Sequence, residues 1–241
     1  MVLTMATYCL ALTTLVLGVP QQSGSDEIQP TGEYAKIDVK LTNKAIGDLL
    51  GDDMKRKQTA VKSVLASPDK YAPIVLCALS NVLFDEGKKD EAAFWYYAGI
   101  LRCRFDALRC ADVTAREGIG VIHQNYGQPI MQYTLEHPAK VEAMLPRIAE
   151  WDRTTPYNYD HRWINLHGMA AVMESTGTNE GTGKHPQLSL PKDQWKSLAE
   201  KTRTEYVDTM HNLLKEVATQ PPAKPNTEAK AKPTVKPNAG R

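Results

Sequence analysis

Two runs of apolar side chains at helical spacing, one directly after the other, restrict this chain more than any other feature. Tyr71, Ile74, Val75, Ala78, Leu79, Val82 and Leu83 recur at i, i+3, i+4, i+7, i+8, i+11 and i+12. That is one stripe along an α-helix, and no strand can hold it. Gly87 follows where a left-handed residue closes a helix, a conformation that costs glycine no Cβ clash. After a short turn at 88–90 the period resumes with Ala92, Trp95, Tyr96, Gly99, Ile100 and Cys103. Two amphipathic helices on so short a loop must pack antiparallel to hide both stripes. The chain is therefore expected to be all-α, an irregular bundle of antiparallel helical hairpins with disordered termini.

Weaker signals extend this reading on both sides. A helix is expected after Thr42, stopping near Gly51, and another over 52–66 with Met54, Val61, Val64 and Leu65 on one side. Ser67, Pro68 and Asp69 read as a cap and a first turn. Gly118 and Gly120 weaken a helical segment over 113–126. Pro138 opens a helix whose Val141, Met144, Leu145 and Ile148 share a face, with a kink or early break expected at Pro146. Pro191 starts a last long helix with Trp195, Leu198, Thr202, Tyr206, Met210, Leu213 and Val217 as its buried seam. The helical domain is expected over 41–219, preceded by an extended leader at 20–40 and interrupted by a flexible loop at 176–186.

The two ends read differently. Residues 8–19, YCLALTTLVLGV, carry no charge, and about a dozen residues are too few to cross a bilayer, which takes about 20. They match the apolar part of a secretory signal, with Val16, Leu17 and Gly18 near the cut, so 1–19 is expected to be a signal peptide. The protein is then exported, periplasmic or extracellular, with no transmembrane segment after cleavage. Residues 220–241 are rich in Lys and Pro and poor in apolar side chains. They read as a disordered tail able to make weak contact with an anionic surface. Net charge is +1, from 29 basic and 28 acidic residues, which gives no pull towards nucleic acid.

Removal of Cys9 with the signal leaves Cys77, Cys103 and Cys110, read as structural thiols. Cys103 and Cys110 stand ~10.5 Å apart on a continuous helix. They pair only if the helix bends or stops, and otherwise Cys77 is the better partner for one of them. No metal-ligand spacing and no cofactor motif is present.

The stretch ALSNVLFDEGKKDEAAFWYYAGI resembles one tetratricopeptide-type unit. Ala78, Gly87, Ala98 and the Asp90, Glu91, Ala92 start fall where that family sets its small residues, turn glycine and acidic helix start. The resemblance covers residues 71–103 and implies a concave groove for a protein or peptide partner. Trp95, Tyr96 and Tyr97 are the residues expected to bind it. The chemical alternative is a hydrolase-type site at Asp160, His161 and His167, where imidazoles that titrate near neutrality adjoin a carboxylate. On an α-helix the two histidines, six apart, point to different faces. Residues 177–184 lack phosphate-loop spacing, because Thr178 stands where the first glycine is needed and His185 follows Lys184. Arg102, Arg104 and Arg109 around Asp106 read as surface ion pairs.

Overall fold

The computed structural model describes residues 29–178 and 187–219. The expected signal at 1–19, the first part of the leader, most of the 176–186 loop and the 220–241 tail lie outside the described residues. Among the described residues there are nine α-helices and no strand: α1 (Lys40–Leu50), α2 (Met54–Ala66), α3 (Ile74–Asp85), α4 (Lys89–Arg109), α5 (Gly118–Tyr126), α6 (Gln128–Glu136), α7 (Pro138–Thr154), α8 (Met169–Ser175) and α9 (Trp195–Thr219).

The α3–α4 hairpin is the centre. Its turn is a Schellman closure: Gly87 at φ +79 donates to Phe84 O and Lys88 N donates to Leu83 O. Gly99 marks the closest approach of the two helices. A Cβ there would lie 2.9 Å from Cys77 Sγ and 3.1 Å from Pro73 O. The stripe of α3 is broader than its spacing indicates, because Leu76, Cys77 and Ser80 are buried as well. A helix apolar nearly all round is one enclosed by neighbours: α4 covers one side, α1 and α2 another, and α5 and α6 the rest. The helix α4 in turn packs against α6, α7 and α9.

Several boundaries shift for local reasons. Asp53 caps α2 by accepting from Lys55 N and Arg56 N, and Met54, in the first turn, is 62% exposed rather than on the apolar side. Ser67 makes no side-chain cap, and a 3-10 turn (Pro68–Lys70) separates α2 from α3. Asp112 caps a 3-10 segment (Val113–Glu117) that replaces the first part of the helix expected over 113–126. Pro146 does not end α7, which runs on to Thr154. The proline is exposed, so water reaches the carbonyl that loses its partner. The seam of α9 passes through Tyr206, Met210 and Leu214, whereas Leu213 is 48% exposed. Four residues overshoot a full turn by about 40°, so the buried line moves gradually round α9 and reaches Leu214 in place of Leu213.

The leader is not extended throughout. Tyr34 and Ile37 are buried with Ala171 and Leu188 in a second, smaller apolar cluster, next to a 3-10 turn (Tyr34–Lys36). An isolated antiparallel bridge, Cys110 to Ser189, ties the approach to α9 to the end of α4. Its bonds run from Ala111 N to Leu188 O and from Leu190 N to Arg109 O.

The helix α4 is continuous through Arg109, so Cys103 and Cys110 do not meet. All three described cysteines are free and buried. The Cys103 thiol is hydrogen-bonded with Cys77 and pushed well up by burial. Cys110 donates to Asn165 Oδ1 at 3.0 Å and is pushed up to about 11 by burial. Reaction follows thiolate character and access. A thiol reagent at pH 8 is therefore expected to modify these three at least about a hundredfold more slowly in the native protein than in denaturant. Rapid native labelling of any of them, located by mass spectrometry, contradicts this packing.

Candidate functional site

The charged residues of α4 form the most unusual part of the core. Arg102, Asp106 and Arg109 recur at i, i+4 and i+7 and so share a face. They are 0%, 0% and 3% exposed, which corrects their reading as surface ion pairs; Arg104, on another side, is the exposed one. Arg102 Nε donates to Asp152 Oδ1 at 2.9 Å, and its two terminal nitrogens donate to Pro156 O and Thr155 O. Its guanidinium lies over the rings of Trp151 and Tyr157, at 4.4 and 4.1 Å. Arg203 of α9 donates to Asp152 Oδ2 at 2.7 Å, and the Tyr157 hydroxyl donates to the same carboxylate. Asp106 accepts from Arg109, from Trp163 Nε1 at 2.7 Å and from Tyr159 Oη at 3.0 Å. Burial pushes the Asp106 carboxyl above the usual range, with Arg109 and the other donors opposing it.

Apart from Arg203 Nε, these charges are satisfied by one another and by fixed dipoles, and they join α4, α7 and α9. Such a cluster holds geometry, and among its guanidinium nitrogens the buried Arg203 Nε is left without an acceptor. The signal that could have found it is the shared face of Arg102, Asp106 and Arg109, together with the aromatics from Trp151 to Trp163. Local sequence does not say that the two sets meet.

Asp160, His161 and His167 are not assembled into a hydrolytic site. Asp160 caps a 3-10 segment (His161–His167), accepting from Arg162 N and Nε and from Asp38 N. In a 3-10 helix residues six apart do share a face, unlike in an α-helix, but the rise of ~2.0 Å per residue sets them ~12 Å apart. His161 Nε2 is 2.8 Å from Ser189 Oγ, and its ring packs on Trp195 at 4.6 Å. His167 sits instead against Trp163 at 5.7 Å.

Burial, reinforced by Arg109, lowers His161 to about 4. Burial also lowers His123, with help from Arg104, and lowers His167. The fold thus disfavours the imidazolium of His161. Below about pH 6.5 the unfolded chain takes up that proton more readily, and stability falls as pH drops towards 4. Allowing for its partial exposure, His161 contributes about 1–2 kcal/mol to that fall. His161→Gln should flatten the acid limb of a stability-against-pH curve. An unchanged slope would mean that this imidazole is not the group responsible.

Of the aromatics expected at a binding surface, Tyr96 and Tyr97 are core side chains, 0% and 6% exposed. Their hydroxyls meet His123 Nδ1 and Thr134 Oγ1, each at 2.6 Å. Trp95 reaches solvent. It stands edge-on to Phe94 at 5.2 Å and to Trp151 at 5.4 Å, and Arg147 lies 5.5 Å over the Phe94 ring. This partly exposed group spans α4 and α7. The stripe spacing included Trp95 but could not identify Trp151, 56 residues later in the sequence, as its neighbour.

A cleft of about 470 Å³ opens elsewhere, between α4 and α9. Ala107, Leu108, Ile119 and Tyr206 supply its apolar wall, and the exposed Arg104 and Arg116 also line it. Glu205 of α9 belongs to the same wall, 3.7 Å from Lys201. No helix among the described residues is long and apolar enough to cross a membrane. Among the same residues there is also no group of three or more His, Cys, Asp or Glu placed to hold a metal.

No family model and no solved structure matches the chain. An uncharacterized protein of Haemophilus influenzae is 27% identical over 131 residues, which make up 53% of this chain and 51% of that protein. The chain thus spans about half the length of the curated relative that it matches, and the likeness is to a protein whose name states no activity.

Proposed function

We propose that the chain is an exported helical interaction protein of the cell envelope or exterior, which binds a protein or peptide partner through the aromatic surface of α4 and α7. The observation that carries the reading is the group Phe94, Trp95 and Trp151, kept partly exposed with Arg147 beside it. Aromatic rings and arginine are the residues over-represented among those that dominate binding energy at protein interfaces. Edge-to-face contacts hold these rings in place, so little conformational freedom is lost on binding. Two further supports come from the sequence. The hairpin that resembles a tetratricopeptide unit carries Trp95 on its second helix, and the uncharged run at 8–19 has the length of a secretory signal.

Two measurements test this. A photo-reactive residue placed at the exposed Glu91 or Arg147 should cross-link a defined partner in envelope extract. Trp95→Ala should reduce recovery of that partner about tenfold, the scale of an interface anchor, and Arg147→Glu should reduce it without disturbing the fold. Mass spectrometry of the mature protein should find a chain starting near residue 19. Failure to cross-link any defined partner would sink the binding surface, and a chain retaining 1–19 in the cytoplasm would sink export.

A further inference from the structure

We infer that the cleft between α4 and α9 is a binding site for an amphipathic monocarboxylate, an aliphatic body bearing one carboxylate, which Arg104 and Arg116 hold. The pairing of arginines across the molecule is the first reason. Arg56, Arg102, Arg109, Arg153, Arg162 and Arg203 each face a carboxylate. Among the described residues Arg104, Arg116 and Arg147 have none, and Arg147 lies over Phe94. The other two line the same cleft.

The shape and walls supply the second reason. A volume of about 470 Å³ falls within the range of small-ligand sites, about 300–1,000 Å³. Ala107, Leu108, Ile119 and Tyr206 offer an aliphatic body a place out of water. Arg104 lies 5.5 Å over the Tyr206 ring, a contact that orients the guanidinium while leaving its N–H groups free. Arg116 is carried on the 3-10 segment that Asp112 caps. Paired guanidinium donors match the two oxygens of a carboxylate.

Electrostatics set the ligand's charge. Glu205 has Lys201 beside it, so the two unpaired guanidiniums leave the cleft positive. Glu205 lies in the same wall and opposes a second carboxylate placed beside it. Trp95 and Arg104 are nine residues apart on α4, half a turn out of phase at about 100° per residue. The cleft therefore lies on the opposite side of that helix from the aromatic surface, and neither proposal depends on the other.

The test uses the full chain at pH 7.5 and low salt, titrated with decanoate, decanol and decylamine, and followed by calorimetry and by NMR of the backbone amides. Decanoate is expected to bind saturably and at least about tenfold more tightly than decanol. Decylamine should not bind, and 0.5 M salt should weaken the decanoate interaction. Amide shifts should map to residues 104–119 and 202–209. His123, whose imidazolium is disfavoured in part by Arg104, should titrate at higher pH once that charge is neutralised. Both arginines are exposed and Arg104 meets the core only over the Tyr206 ring, so R104Q/R116Q should stay folded, with a Tm within a few degrees of the parent, and lose at least about tenfold in affinity. E205Q should bind decanoate more tightly. Absence of saturable decanoate binding, equal binding of decanol or decylamine, or an unchanged affinity in R104Q/R116Q overturns the proposal.

Discussion

Asp152→Ala is expected to lower stability by about 3–5 kcal/mol, the range for breaking a buried ion pair by removing one partner. The carboxylate is 2% exposed and accepts from Arg102, Arg203 and the Tyr157 hydroxyl. Its loss leaves two guanidiniums held away from water with less than their full set of acceptors. Arg102 keeps the carbonyls of Thr155 and Pro156, but Arg203 keeps only Glu200, a surface partner. For a domain of this size the change corresponds to a fall in Tm on the order of 10 °C.

Arg203→Met should cost less, because Asp152 then retains Arg102 and Tyr157, and a methionine stem covers much the same apolar surface. Urea unfolding of the two variants checks the order. An Arg203→Met variant that loses as much as Asp152→Ala would show that packing of the long side chain, and not charge pairing, holds α9 to α7.

The second large effect concerns Gly99. A side chain there meets Cys77 Sγ, Leu76 Cβ and the backbone oxygen of Pro73, at 2.9, 3.2 and 3.1 Å from the first added atom. The thiol can rotate away, but the carbonyl belongs to the first turn of α3 and moves only if the helix does. Gly99→Leu is expected to destabilise by about 3 kcal/mol or more, the upper range for overfilling a packed core. Gly99→Ala tests the same contact more finely. In a helix interior alanine is favoured over glycine by about 1 kcal/mol, and Gly47 of α1 has nothing within 4 Å of such a Cβ. Gly47→Ala should therefore stabilise, while Gly99→Ala should not. Equal stabilisation by both, measured in urea, would mean that α3 and α4 are not in contact at this point.

Both sites also show how far the sequence could be read. The hairpin was legible because its cause is local: the period of the stripes and the glycine at Gly87 belong to neighbouring residues. The face of Val141, Met144, Leu145 and Ile148 was legible for the same reason, and all four are buried. Tyr96 and Tyr97 were harder. Tyr96 stands in the stripe and Tyr97 beside it, and a tyrosine in either place can serve as a core residue or as an interface residue. Only the presence of His123 and Thr134 opposite their hydroxyls put them inside. Pro146 reads as a helix breaker until its exposed position lets water take the missing partner's role. The step from Leu213 to Leu214 is a matter of helical phase accumulated over α9, which is set by what the helix packs against.

The candidate sites divide along the same line. Arg102, Asp106 and Arg109 share a face by spacing alone, but charge on a helix face is ordinarily left in water, and nothing nearby in the chain indicates otherwise. Their burial depends on Asp152, Tyr159 and Trp163, which lie 50 to 57 residues away. The segment from Asp160 to His167 contains chemically capable side chains, and the tertiary structure gives them separate partners. Likewise Arg104 and Arg116 become a pair only where α9 closes one side of a cleft around them.

The sequence by itself determined the all-α class, the central hairpin and the longer helices with a clear apolar period, because hydrophobic period and turn chemistry act over a few residues; the short α6 and α8 carried no such signal. Which charges are buried, which aromatics remain at the surface and where a cleft opens were decided by tertiary packing. Those properties belong to groups brought together from distant parts of the chain, and their free energy depends on what surrounds them, which no local pattern specifies.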